Sequence, residues 1–138
     1  MTPPTDAPPR EHYNPPLTAR LFIGASWLLG WPLVLDGMYQ RLWNAYLPLA
    51  LVLRPWIGWA DSLGLTPADT GWPFICLGFA LIGASFGLYG RRRWGYFIGI
   101  VAGALTLAWP YLGTLLGLIC LGLLALPATR RYVRPPLA

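Results

Sequence analysis

Residues 94–126 contain no charged side chain and are almost wholly apolar. As a single helix this stretch would be about 50 Å long at 1.5 Å per residue, against a hydrocarbon core of about 30 Å. Pro110 falls inside it, and proline interrupts a helix by removing one backbone donor and clashing with the preceding turn. Length and proline together predict two helices, about Gly95–Ala108 and Tyr111–Leu126, meeting at a Trp109-Pro110 turn. Both are short for a membrane, so the hairpin is expected to cross with little tilt or through a slightly thinned bilayer. A re-entrant hairpin is the rival reading.

Two further apolar runs precede it: Leu21–Leu35, which extends toward Asp36, and Pro73–Tyr89. The chain is 56% hydrophobic and 11% charged, under half the roughly 25% charge of a soluble domain. That excludes disorder for the body of the chain, and two cysteines exclude a disulfide-built secreted scaffold. The expected fold is therefore all-α: a polytopic membrane four-helix bundle over residues 20–127, with spans near 20–36, 73–90, 94–109 and 111–127.

Residues 1–19 hold six of the fifteen prolines and predict a disordered, polyproline-leaning cytoplasmic tail. No basic segment leads from Met1 into an apolar run, so a signal peptide is not expected. Residues 128–138 read as a second, basic cytoplasmic tail. Between the first two spans, residues 37–72 form a long connection. Its Leu42–Leu53 portion is apolar but too short to cross, which predicts an interfacial or packed helix. Trp43, Tyr46, Trp56, Trp59 and Trp72 all fall in this connection, and such rings favour headgroup level. Thr66-Pro67-Ala68-Asp69 predicts a helix start, with Thr66 as cap, Pro67 in the first position and Asp69 beside the exposed amides.

All ten basic residues are Arg. With four spans, Arg10, Arg20, the Arg91-Arg92-Arg93 turn and Arg130, Arg131 and Arg134 share one side. The other side has Arg41 and Arg54 against Asp36, Asp61 and Asp69. The positive-inside rule then places both termini in the cytoplasm and the aromatic connection outside. Anionic headgroups beside the Arg turns account for the net charge of +5 without a nucleic acid.

Apolar side chains gain little from meeting one another in lipid, so close backbone approach is needed to hold such helices together. Gly95, Gly99 and Gly103 recur every four residues along one face of the third helix, with Gly83 and Gly87 on the second and Gly113 and Gly117 on the fourth. These are the expected helix-packing surfaces. Packing within this chain is the reading taken forward; another membrane protein or a second copy of the chain is the alternative partner. Ser26, Ser85, Thr106 and Thr114 are expected to bond helix backbone or a neighbouring helix.

No strongly ionisable side chain lies deep in a predicted span, whereas proton relays and ion-coupled transport need one. His12 alone supplies imidazole, and no nucleophile–base pair, phosphate loop or metal-ligand spacing is present. No catalytic residue, metal or cofactor is predicted. Cys76 and Cys120 differ in depth, which argues against a disulfide. Asp36, at the outer mouth of the first helix, is the best candidate for a functional polar group. Arg41 or Arg54 could pair with it. A kink at Trp31-Pro32 could open a cleft beside it, with Trp31, Trp56 and Trp59 as outer-face candidates; the plainer reading is a helix-ending interfacial residue.

The order of parts resembles DoxX-like small bacterial membrane proteins. The matching pieces are Arg20-Leu21 with Gly24, Asp36-Gly37, Gln40-Arg41, Leu63-Gly64-Leu65, the Leu77–Gly95 stretch and the closing hairpin. The resemblance covers most of residues 20–127; the lysine that often follows the first helix in those proteins is absent. It implies a subunit of quinone-linked or redox membrane complexes. From the residues themselves, the expected function is a non-enzymatic accessory, assembly or stabilising subunit of a membrane complex. A redox- or quinone-linked component with a site near Asp36 is the second reading, and an oligomeric pore or small transporter the third.

Overall fold

A computed structural model of the chain describes residues 14–47, 54–108 and 112–133. These residues form six helices and no strand: α1 (Leu17–Trp43), α2 (Arg54–Ser62), α3 (Pro67–Tyr89), α4 (Arg93–Thr106), α5 (Leu112–Ala125) and α6 (Pro127–Val133). Two of them, α1 and α3, are long and apolar enough to cross a membrane, and α5 with α6 makes a third if that pair, bent by 64°, counts as one span. At 14 residues each, α4 and α5 are about 21 Å long.

Both long helices outrun the expected spans. α1 begins at Leu17 directly after Pro16 and ends at Asn44, whose left-handed conformation (φ 48°) stops it; residues 17–19 belong to the helix rather than to a tail. α3 absorbs the Thr66 start into one helix that continues through Pro73. The cap itself is as the sequence predicts. The Thr66 hydroxyl accepts from the Asp69 amide at 3.3 Å, and the Asp69 carboxylate accepts from the Thr66 amide at 3.0 Å, so two of the donors orphaned at a helix start are satisfied reciprocally. Residues 127–133 are not a tail either. They fold as α6, burying Thr129, Tyr132 and Val133 while Arg130 and Arg131 stay exposed.

The most extensive helix contact, α1 on α3, is one that four-residue glycine spacing does not mark. Gly30 faces Gly78 and Gly37 faces Gly71, so α1 and α3 run antiparallel with their backbones in contact. A Cβ on Gly37 would lie 2.6 Å from the Gly71 carbonyl oxygen, and one on Gly78 would lie 2.6 Å from that of Gly30. Both pairs are seven residues apart along their helices. Such small-residue contact lets helices associate where apolar side chains alone would not drive them together.

α1 packs on α3, α3 on α4, α4 on α5 and α5 back on α1. The α3–α4 corner is held by Gly87 against the Gly95 backbone, 2.6 Å from where a Cβ would sit. Gly99 faces Phe22 of α1 and Leu124 of α5, and Gly103 faces Leu121, so the three glycines of α4 serve different neighbours in turn. Gly117 packs against Thr106 and the Gly103 carbonyl, and Gly113 is buried. Gly83 is the exception: among the described residues nothing lies within 4 Å of its would-be Cβ, so it packs against no described helix. Its open face follows from its register, since Ile82 and Ser85 turn toward α1 while Gly83 turns outward.

Two apolar clusters fill the interior. Ala19, Phe22, Ala84, Leu88, Cys120, Leu124, Tyr132 and Val133 form one, and Leu29, Leu33, Phe74, Leu81 and Ala102 the other. The expected hydroxyl bonds are present at Ser85 to Ile82 O (2.6 Å), Thr106 to Gly103 O (2.7 Å) and Thr114 to Leu107 O (3.2 Å). Ser26 Oγ is buried with no hydrogen-bond partner among the described residues. Cys76 is exposed and Cys120 buried, both as free thiols.

The arginine-bearing segments share one end. Thr129 donates to Thr18 at 2.8 Å, the Arg91 Nε–H donates to Tyr132 O at 3.1 Å, and the Tyr132 hydroxyl donates to Tyr89 O at 3.2 Å. The start of α1, the α3–α4 turn and α6 are thereby tied together. In that turn the Arg92 amide reaches Gly87 O (2.8 Å) and the Arg91 amide reaches Leu88 O (3.0 Å), the double bond of a Schellman ending. Arg91, rather than Gly90, takes the left-handed position at φ 55°. Its guanidinium lies 5.3 Å over the Tyr132 ring, a contact that holds an arginine where glycine would be easier.

Candidate functional site

Four residues separate Asp36 from Gln40, which places both side chains on one face of α1, and this face turns inward. Asp36 is 6% exposed and Gln40 fully buried. The Gln40 amide donates to Asp36 Oδ2 at 2.9 Å, and its carbonyl accepts from the Thr70 hydroxyl of α3 at 2.7 Å. The Leu47 amide approaches the second carboxylate oxygen at 3.4 Å. A carboxylate taken from water needs such donors, because an unsatisfied buried polar group costs about 1–3 kcal/mol and a charged one more. The chain leaving α1 is thus bound back to it by the helix's own last acid.

Arg41, the residue after Gln40, runs over Gly71 of α3 instead. Its guanidinium donates to Ala68 O at 3.2 Å and lies 5.4 Å over the Trp72 ring. Asn44 Oδ1 accepts from the Ala68 amide at 3.2 Å. Tyr46 and Ile57 of α2 pack on the Phe74 cluster, and the Tyr46 hydroxyl is buried with no hydrogen-bond partner among the described residues. Burial pushes that phenol above its usual range, the neighbouring Thr70 hydroxyl opposes the shift, and the Asp61 and Asp36 carboxylates add to it.

The structure does not bring together the constellation expected around Asp36. Arg41 does not pair with it, and Trp31 lies on another side of α1, about 140° around the helix at 100° per residue. Trp31 is exposed and packs edge-on to Trp27 at 6.2 Å. Trp27 in turn donates to Ser85 Oγ at 2.9 Å and meets Phe86 at 5.8 Å. The side chains of Arg54, Trp56 and Trp59, the Trp109-Pro110 turn, Arg10, His12 and Arg134 lie outside what is described. Gln40, Thr70 and the Arg41–Trp72 couple escaped the sequence reading. The i, i+4 spacing of Asp36 and Gln40 was the available signal, while the partners on α3 are a matter of tertiary register.

A second feature is a groove of about 620 Å³ between α3 and α4, lined by apolar side chains including Pro73, Leu77, Ala80, Val101 and Leu105, with Cys76 on its wall. The described residues contain no cluster of three metal-ligating groups. Chemically, the Asp36 network is a lock whose donors and acceptors are already matched, and the groove is an apolar recess. Comparisons with family models, curated proteins and solved structures give no match.

Proposed function

We propose that this chain is a polytopic inner-membrane protein of a bacterium. α1, α3, α4 and α5 form a four-helix bundle across the bilayer, with the arginine end and both termini in the cytoplasm and the Asp36–α2 end outside. It serves as a non-enzymatic accessory, assembly or stabilising subunit of a membrane complex. The observation that carries this reading is the inverted distribution of side chains. Outward positions are taken by Leu28, Phe79, Phe86, Phe97, Val101 and Leu115, each more than half exposed, while Gln40, Thr70, Ser85 and Thr106 are inside. An exposed apolar surface of that extent is unfavourable in water and favourable against acyl chains. The accessory role is supported by the Asp36, Gln40 and Thr70 groups bonded to one another and by Gly83 with Phe79 on a face that no described helix covers.

Pull-down from native membranes in mild detergent, at native expression, is expected to recover a stoichiometric membrane partner or a second copy. A monomeric species without a partner would contradict the subunit role. The DoxX-like reading, a quinone-linked component with its site at the outer face, draws its support from the Asp36–Gln40–Thr70 network and the half-buried Tyr46 phenol gathered there.

A further inference from the structure

We infer that the chain takes a thin lipid surface as its partner: a layer of short-chained phospholipid about 25 Å deep, with the last turns of α1 and the first turn of α3 standing clear of it on the outer side. This rests on the membrane reading above and adds where the acyl chains start and stop. The register of α1 on α3 supplies the levels. With Gly30 on Gly78 and Gly37 on Gly71, the antiparallel helices set Arg20 near the height of Tyr89 and Asp36 near that of Trp72. Further pairs across the same contact keep that register: Trp27 with Ser85, Gln40 with Thr70 and Arg41 with Ala68.

Each height carries groups that mark a headgroup boundary. At the arginine end these are Arg20, Tyr89, Arg92, Arg93 and Trp94, all exposed. At the other end the exposed Trp72 lies under the Arg41 guanidinium. Between the two heights the exposed residues of α1 and α3 carry no charge, among them Leu21, Leu28, Leu35, Phe79 and Phe86. From Trp72 to Tyr89 is about 25 Å at 1.5 Å per residue, and from Arg20 to Asp36 about 24 Å. α4 and α5, at 14 residues each, reach about 21 Å. All of these fall short of a typical hydrocarbon core of about 30 Å. Tilt cannot close that gap, because tilting a short span makes it shorter still; the lipid must be thin. Only α1 is longer, at 27 residues or about 40 Å. Most of its surplus lies past Asp36, where Arg41 stands level with Ala68 and the exposed Asp69, and such charges keep this part out of hydrocarbon.

Nanodiscs, in which both faces meet an aqueous reagent, test these levels. Leu28→Cys and Leu42→Cys replace exposed residues on one face of α1, each in a Cys76→Ser, Cys120→Ala background, and are treated with a maleimide in dioleoyl-phosphatidylcholine. Leu42→Cys is expected to react at least about tenfold faster, because the thiolate that reacts forms in water and not in hydrocarbon. Equally slow rates would overturn the thin layer, since acyl chains would then reach past Arg41. Equally fast rates in a folded chain would contradict the membrane reading instead. The wild-type chain is also melted in dimyristoleoyl-, dioleoyl- and dierucoyl-phosphatidylcholine, a fluid series of rising chain length. Its melting temperature is expected to be highest in the shortest lipid and several degrees lower in the longest. A melting temperature that is flat across the series, or highest in either longer lipid, would overturn the proposal. A chain that needs amphiphile to fold yet melts this way fails only here, whereas one that stays folded in plain buffer fails the membrane reading.

Discussion

Gly78→Leu is expected to cost about 3 kcal/mol of stability in detergent, the upper part of the range for forcing bulk into a packed interface. The reason is what a side chain at this position meets: the Gly30 carbonyl oxygen at 2.6 Å and the Val34 amide at 3.0 Å. Backbone atoms of a facing helix cannot rotate aside as a side chain end can, so α1 and α3 must separate. Separation also breaks the Trp27–Ser85 and Gln40–Thr70 bonds that depend on the same register. Gly83→Leu, five residues further along the same helix, meets nothing within 4 Å and is expected to change stability by less than about 0.5 kcal/mol. Thermal melting of both variants in one detergent checks the pair. Equal effects would mean that α1 and α3 are not in backbone contact.

Gln40→Leu is expected to cost about 2 kcal/mol, because it leaves Asp36 Oδ2 without its donor in a buried place, while the Thr70 hydroxyl keeps Pro67 O at 3.0 Å. Gln40 itself is fully buried, so leucine fills similar space and the loss is one of hydrogen bonds rather than of volume. The size of the effect should exceed that of an ordinary interhelical bond in lipid, roughly 0.6 kcal/mol, since a carboxyl group is stranded. Adding Asp36→Leu to Gln40→Leu should recover part of the loss, because removing both partners of a buried bond is cheaper than removing one. A double variant no more stable than the single one would show that Asp36 does not rely on Gln40. The same region separates the two functional readings: Asp36→Asn keeps acceptor and shape, so loss of a quinone-linked phenotype with unchanged melting would favour a site over a lock.

The all-helical character was legible from run lengths, and the helix start at Thr66 from its own four residues, because capping is local chemistry. The extents of α1 and α3 were not. Pro73 looked like a beginning, yet a proline can be carried inside a helix whose neighbours compensate, and Gly71 has α1 packed against it. Glycine spacing of four drew attention to Gly95, Gly99 and Gly103, while the α1–α3 contact uses a spacing of seven. Which glycine of a pair faces a neighbour is set by the relative register of two helices distant in sequence, so Gly83 and Gly78 could not be told apart beforehand. Asp36 was expected to end its helix at the outer face, yet α1 carries on to Trp43 and buries it, and Arg41 was the wrong partner: five residues on, its side chain leaves on the face that meets Trp72. The ending of α3 was similarly opaque, since Gly90 invites the left-handed position and Arg91 occupies it through contacts with Tyr132, a residue far along the chain.

In the proposed topology four helices cross a bilayer with the arginine end on one side and the Asp36–α2 end on the other. Single-cysteine reporters at Asn14→Cys, Leu63→Cys and Arg130→Cys, in a Cys76→Ser, Cys120→Ala background, test it with an impermeant maleimide on intact cells. Leu63→Cys is expected to label at once, and Asn14→Cys and Arg130→Cys only after permeabilisation. Labelling of position 14 and position 130 from opposite sides, or of all three from the same side, would contradict the account.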